Sequence, residues 1–180
     1  AWEKRYNGPP DLGDEAVSIA VDASGNSYVT GSAFAANGTL DIVTIKYSPS
    51  GQQLWLQSYN GTANDNDQGV KLVIDAAANV YVTGYSKGLT SGNDITTIMY
   101  NTSGAQQWIA IYNGAFNGFD QGASIAVDAA GNVFVTGYET TANLNFTDMI
   151  TIMYNSAGTQ IWLDAYNGAG SANDLGVDIV

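Results

Sequence analysis

Ala16-Val17-Ser18-Ile19-Ala20-Val21 alternates larger apolar side chains with small ones, which predicts a strand with two different faces. Asp22-Ala23-Ser24-Gly25-Asn26 interrupts the pattern and reads as a turn. There Gly25 supplies a positive φ, and the Asp22 carboxylate accepts hydrogen bonds from turn amides. Ser27-Tyr28-Val29-Thr30-Gly31, β-branched and aromatic, predicts a second strand. A polar loop from Ser32 to Leu40 leads into a third, Asp41 to Tyr47. Ser48-Pro49-Ser50-Gly51 makes a tight turn, with proline presetting φ and glycine closing it. Gln53 to Tyr59 is the fourth strand. No stretch of ten or more residues carries a helical period with caps, so no helix longer than a turn is expected.

The same succession returns twice. Trp2, Trp55, Trp108 and Trp162 stand 53, 53 and 54 residues apart, and each leads into Tyr-Asn-Gly, at Tyr6, Tyr59, Tyr112 and Tyr166. DASGNSYVTG from Asp22 recurs as DAAANVYVTG from Asp75 and DAAGNVFVTG from Asp128. Ile95 to Tyr100 and Met149 to Tyr154 match the third strand, and Asn101-Thr102-Ser103-Gly104 and Asn155-Ser156-Ala157-Gly158 match its turn. A unit repeated at this interval cannot bury its own apolar face and must stack on its neighbours. Four short strands joined by tight turns predict an all-β fold of β-propeller blades, each of four antiparallel strands. Three blades are complete, over 16–68, 69–121 and 122–174. Partial blades flank them, an outer strand over 1–15 and an inner strand over 175–180.

Two departures test the template. The third unit is one residue longer between Gly137 and Asp148 than the second is between Gly84 and Asp94, which places the insertion in an exposed, tolerant loop. Ala78 stands where Gly25 and Gly131 stand, so either Asn79 carries the positive φ or this turn is strained.

The string Asp22-x-x-Gly25-Asn26-x-Tyr28-Val29-Thr30-Gly31, then Asp41-x-x-Thr44-Ile45-Lys46-Tyr47, then Gly51-x-x-x-Trp55, resembles the SBBP-type β-propeller repeat of bacterial secreted and surface proteins. The resemblance covers essentially the whole chain. It implies an extracellular or cell-surface location and a structural or adhesion-like scaffold, and it carries over no catalytic residues.

Ala1 to Tyr6 matches a fourth strand and Leu175 to Val180 a first. Propellers close with about four to eight blades, so three blades and two half-blades do not make a ring. Either the remaining blades belong to a longer chain, or neighbouring copies supply strands to one another through open edges. No basic–apolar leader opens the chain, which begins within a repeat and reads as a processed product or a segment of something longer.

Composition narrows the partners. The net charge is −12, from 17 acids against five bases, which disfavours nucleic acid and anionic lipid and favours cations. Neither histidine nor cysteine occurs, which removes the commonest general base and transition-metal ligand as well as thiolates and disulfides. No apolar run approaches the roughly 20 residues of a membrane-spanning helix.

Three aspartate series recur: Asp14, Asp67, Asp120 and Asp174 before the first strand, Asp22, Asp75 and Asp128 after it, and Asp41, Asp94 and Asp148 opening the third. Recurrence in every unit favours a structural role, bonding turn amides, over a site. Asn64-Asp65-Asn66-Asp67 is the best candidate for Ca²⁺, with Asp65 and Asp67 as ligands, though it lacks the glycine and distal glutamate of an EF-hand. A carboxylate-pair glycosidase would draw on the acids found in one unit alone, Asp11, Glu15, Asp65, Glu139 and Asp164. The Trp and Tyr series offers sugar-stacking platforms, but aromatics fixed in every repeat are what an array needs for its continuous core. The sequons at Asn37, Asn60, Asn101 and Asn145 matter only in a glycosylating source. The chain is therefore expected to be a non-enzymatic extracellular scaffold whose partners are further copies, remaining blades, a surface glycan or a protein.

Overall fold

The computed structural model describes residues 1–9, 11–142, 145–169 and 172–180, and its described residues contain twelve strands and no helix. They form three antiparallel sheets, each ordered as the chain runs. The first holds β1 (Glu15–Val21), β2 (Ser27–Phe34), β3 (Leu40–Tyr47) and β4 (Gln53–Tyr59). The second holds β5 (Asp67–Ile74), β6 (Val80–Lys87), β7 (Asn93–Tyr100) and β8 (Gln106–Tyr112). The third holds β9 (Gln121–Val127), β10 (Val133–Thr140), β11 (Thr147–Tyr154) and β12 (Gln160–Tyr166). These are propeller-like blades, and no sheet closes on itself.

The second strand runs further than its alternation suggests. β2 continues through Ala33, opposite Asp41, to Phe34, opposite Leu40, because Ala35 N–H donates to the Thr39 carbonyl and turns the loop into a hairpin. The inserted residue of the third unit falls in the loop over 141–146, of which 143 and 144 lie outside the described residues.

The turn chemistry is the expected one. Asp22 Oδ1 accepts the amides of Ser24 and Asn26 at 2.9 Å, while Asp75 and Asp128 accept those of Ala77 and Asn79, and of Ala130 and Asn132. Gly25 and Gly131 have φ of 80° and 81°, and between them in the series Ala78 itself adopts φ 64°. Asn79 does not relieve it, being held by its amide and side chain to Asp75. The turn accepts a left-handed alanine because two bonds to one carboxylate over-determine its shape.

Two small-residue positions explain the recurrent Val-Thr-Gly. A bulge in each first strand brings its carbonyl against the glycine of the second, so a Cβ on Gly31, Gly84 or Gly137 would lie 1.9–2.0 Å from that oxygen. The preceding threonine reaches the next blade. Thr30, Thr83 and Thr136 are buried and donate to carbonyls of their own third strand. Their hydroxyls occupy the space a Cβ would need on Gly69, Gly122 and Gly176.

The core lies between sheets. The face of the first blade turned toward the second contributes Tyr28 and Ile42, which pack with Leu72, Val80, Val82, Ile98 and Tyr100. The next interface repeats this with Tyr81 and Ile95 against Ile125, Val133, Val135, Ile152 and Tyr154. β5 thus seats on β1, β2 and β3 as β9 seats on β5, β6 and β7.

Candidate functional site

At one end of the array, loops running from each fourth strand to the next first strand meet the ends of the second strands. Asp67 holds them: Oδ2 accepts Gly61 N–H at 2.6 Å and Oδ1 accepts Lys87 N–H at 3.3 Å. Asp120 does the same for Gly114 and Thr140, Asp14 for Gly8 and Phe34, and Asp174 binds Gly168. Burial pushes the Asp67 and Asp120 carboxyls above the usual carboxylate range, and their backbone donors pull the other way. These are clamps that tie one blade to the next.

The calcium-like cluster is drawn into the same framework. Asn64, at φ 53°, makes the left-handed residue of the turn and accepts the side-chain amides of Asn60 and Asn37. Asn66 Oδ1 accepts Leu40 N–H, and Asp65 Oδ1 accepts Asn66 N–H. Both Asp67 oxygens face backbone amides. Among the described residues no group of three or more acids is placed to hold a metal ion.

The acids of the third strands have fewer donors than the clamp aspartates. Ser58 Oγ donates to Asp41 and Ser91 Oγ to Asp94, yet among the described residues one buried oxygen of each of Asp41, Asp94 and Asp148 has no donor. In the third blade the position opposite Asp148 is Glu139, where the first two blades carry Ala33 and Ser86. Glu139 Oε2 accepts the Tyr112 hydroxyl at 2.6 Å. A Cβ on Gly114 would stand 2.8 Å from that oxygen and 2.9 Å from Asp120 Oδ2, so the two carboxyls face each other across this glycine. Burial, then the fields of Asp120 and Asp148, push the Glu139 carboxyl up. Of the acids unique to one unit, Asp11, Asp65 and Glu139 lie at this end, and of these three Glu139 faces a clamp carboxyl. Asp11 accepts the Asn7 side chain, Glu15 opens β1, Asp65 caps its own turn and Asp164 lies on β12. The Glu139–Asp120 pair cannot act as acid and nucleophile in the usual way, because Asp120 is fully buried with both oxygens engaged.

The most conspicuous surface is apolar. Ile19 and Val21 of β1 are 66% and 62% exposed, whereas Leu72 and Ile125 at the place of Ile19 are 2% and 1% exposed. With Val17, Val29, Val43, Ile45 and Tyr47, Ile19 lines a groove of about 460 Å³ that residues 2–6 partly cover.

The tryptophans mark the outer edge of each interface. Trp55 Nε1–H donates to the Thr102 carbonyl at 3.2 Å and Trp108 Nε1–H to that of Ser156 at 3.1 Å, with each ring against Gly104 or Gly158. Those glycines have φ of 85° and 78° and no room for a Cβ. Trp2 occupies the corresponding place on Gly51, its Nε1–H on the Pro49 carbonyl at 3.0 Å. This seat escapes a reading of one unit at a time. It becomes legible only when each Trp is paired with the turn glycine of the unit that follows.

No family model matches the chain. Among curated proteins it is similar to the uncharacterized WD repeat-containing protein L264 of Acanthamoeba polyphaga mimivirus, 27% identical over 188 aligned residues. The alignment takes in 86% of this chain and 13% of that relative, so the chain spans a small part of its length. The likeness agrees with a repeat, propeller-like architecture.

Proposed function

We propose that this chain is a non-enzymatic, extracellular scaffold of SBBP-type propeller repeats that associates with further blades through its uncovered faces. The observation that carries the reading is the exposure of Ile19, whose counterparts Leu72 and Ile125 in the second and third blades are core. An apolar sheet face of this kind marks an interaction site. The repeat motifs support the family, and the absence of histidine supports a structural role. The surroundings of Asp67 give little support to a calcium requirement.

Sedimentation across a concentration series tests it. The wild-type chain is expected to associate, and Ile19→Asp to remain folded by circular dichroism and monomeric. A wild-type chain that stays monomeric at the highest concentration, or an Ile19→Asp variant that associates equally, overturns the reading. So does turnover of a panel of chromogenic glycosides that Glu139→Gln abolishes.

A further inference from the structure

Each interior tryptophan is held from two sides. Trp55 lies 6.2 Å from Tyr28 of its own blade and 6.2 Å from Tyr100 of the next, between ring centroids. Trp108 repeats this with Tyr81 at 6.2 Å and Tyr154 at 6.3 Å. The outer two tryptophans divide the arrangement between them. Trp2 has the next-blade half, with Tyr47 at 5.8 Å, the Gly51 turn and the Pro49 carbonyl, and no aromatic behind it among the described contacts. Trp162 has the own-blade half, with Phe134 at 6.2 Å, and no turn in front of it among the described residues. Both are correspondingly open, at 46% and 41% exposure.

The segments around them are interchangeable. Trp2, Tyr6, Asn7, Gly8, Asp14, Val17 and Ile19 recur at the same spacing as Trp162, Tyr166, Asn167, Gly168, Asp174, Val177 and Ile179. Gly8 N–H on Asp14 and Gly168 N–H on Asp174 are both 2.6 Å. Gly176 meets Thr136 of the third blade as Gly69 meets Thr30 and Gly122 meets Thr83. The third blade therefore presents the forward half of an interface formed twice within the chain, and the first blade presents the rear half.

We propose that the occupant of the groove on the first blade is the third blade of a second copy, seated by exchange. The second copy's Trp162, backed by Phe134, takes the Gly51 turn and the Pro49 carbonyl from Trp2. Residues 2–6 leave the groove, and the Ile19–Val21 face displaces the second copy's residues 175–180 from its third blade. The new contact reproduces the two internal interfaces, and it is heterologous, so it propagates head to tail into a ring or filament. This inference rests on the scaffold reading above and adds the partner and the seat.

The exchange makes two equivalent tryptophans act in opposite directions. Trp2 competes for the seat and Trp162 fills it. Emptying the seat removes the cost of displacement, while truncating an aromatic anchor of an interface typically costs a large share of its affinity. Trp2→Ala is expected to tighten self-association at least tenfold by sedimentation equilibrium, and Trp162→Ala to weaken it at least tenfold, each with an unchanged far-ultraviolet spectrum. Association that Ile19→Asp abolishes but both tryptophan variants leave alone refutes the exchange and keeps the scaffold reading. Equal weakening by both variants refutes it as well, since Trp2 would then be part of the interface. A wild-type chain that never associates removes both.

Discussion

At the scale of single residues, the repeat allows each position to be compared with its siblings. Ala78 adopts a left-handed conformation that glycine holds in the other two turns. That conformation costs an L-residue about 1–2 kcal/mol, partly offset because glycine loses more chain entropy on folding. Ala78→Gly is accordingly expected to stabilise the chain by about 0.5–1 kcal/mol, read as a higher urea midpoint at unchanged slope. Glu139 is the reverse case, a charge placed where its siblings are Ala33 and Ser86. Its raised pKa means the folded state holds the proton more tightly than the unfolded chain. Its contribution is therefore most favourable below the ordinary carboxylate range and declines as pH rises through the folded pKa. Glu139→Gln keeps an acceptor for Tyr112 and removes the repulsion with Asp148 and Asp120. It is expected to raise Tm at pH 7 by about 2–4 °C, the equivalent of a cross-strand like-charge penalty up to about 1 kcal/mol. The gain should vanish near pH 4. Asp22 behaves oppositely, since Asn26 and its other donors hold its carboxyl down to about 2, and its stabilisation is lost as pH falls from about 4 toward that value.

At the scale of elements, blade stacking depends on backbone approaching side chain. The glycines at the start of β5 and β9 let the first strand of one blade lie over the threonine of the preceding one. On Gly122 a Cβ would meet Thr83 Oγ1 at 2.2 Å, whereas nothing lies within 4 Å of the site on Gly13. Gly122→Ala should cost about 1–3 kcal/mol by overpacking a joint with no slack. Gly13→Ala should stay within about 0.5 kcal/mol. Denaturant unfolding of the pair separates this steric cost from any general effect of adding a methyl group. The strands were legible in sequence because alternation, turn residues and period all agreed. The length of β2 was not, because its last residues owe their pairing to a loop hairpin and to the Asp14 clamp, and not to their own pattern.

At the scale of the whole molecule, the balance is between apolar attraction and net charge. Copies carrying −12 repel one another at long range, so an association driven by the Ile19–Val21 face should strengthen as salt screens that repulsion. Sedimentation at about 50 and 500 mM salt is expected to show tighter association at the higher value. A weaker one would point to ion pairs instead of the apolar face. The clamps, threonine–glycine joints and tryptophan seats all lie between blades, so stability is distributed among neighbouring interfaces as in other arrays.

By itself the sequence determined the four-strand unit, its turns and its threefold recurrence, because strand alternation and turn chemistry are local and the period multiplies them. It also pointed to structural roles for the aspartates that flank each first strand, since identical local bonds recur there with identical local sequence, whereas Asp41, Asp94 and Asp148 differ in partner from blade to blade. Only the tertiary structure decided which surfaces remain open. Ile19, Leu72 and Ile125 are alike as letters, and each sits in a strand able to bury both faces. Whether such a residue is core or surface depends on a blade lying beside it, which is a property of the packed array and of no single strand. The same holds for Trp2 and Trp162, which are identical in motif and differ only in which half of a seat the fold has given them.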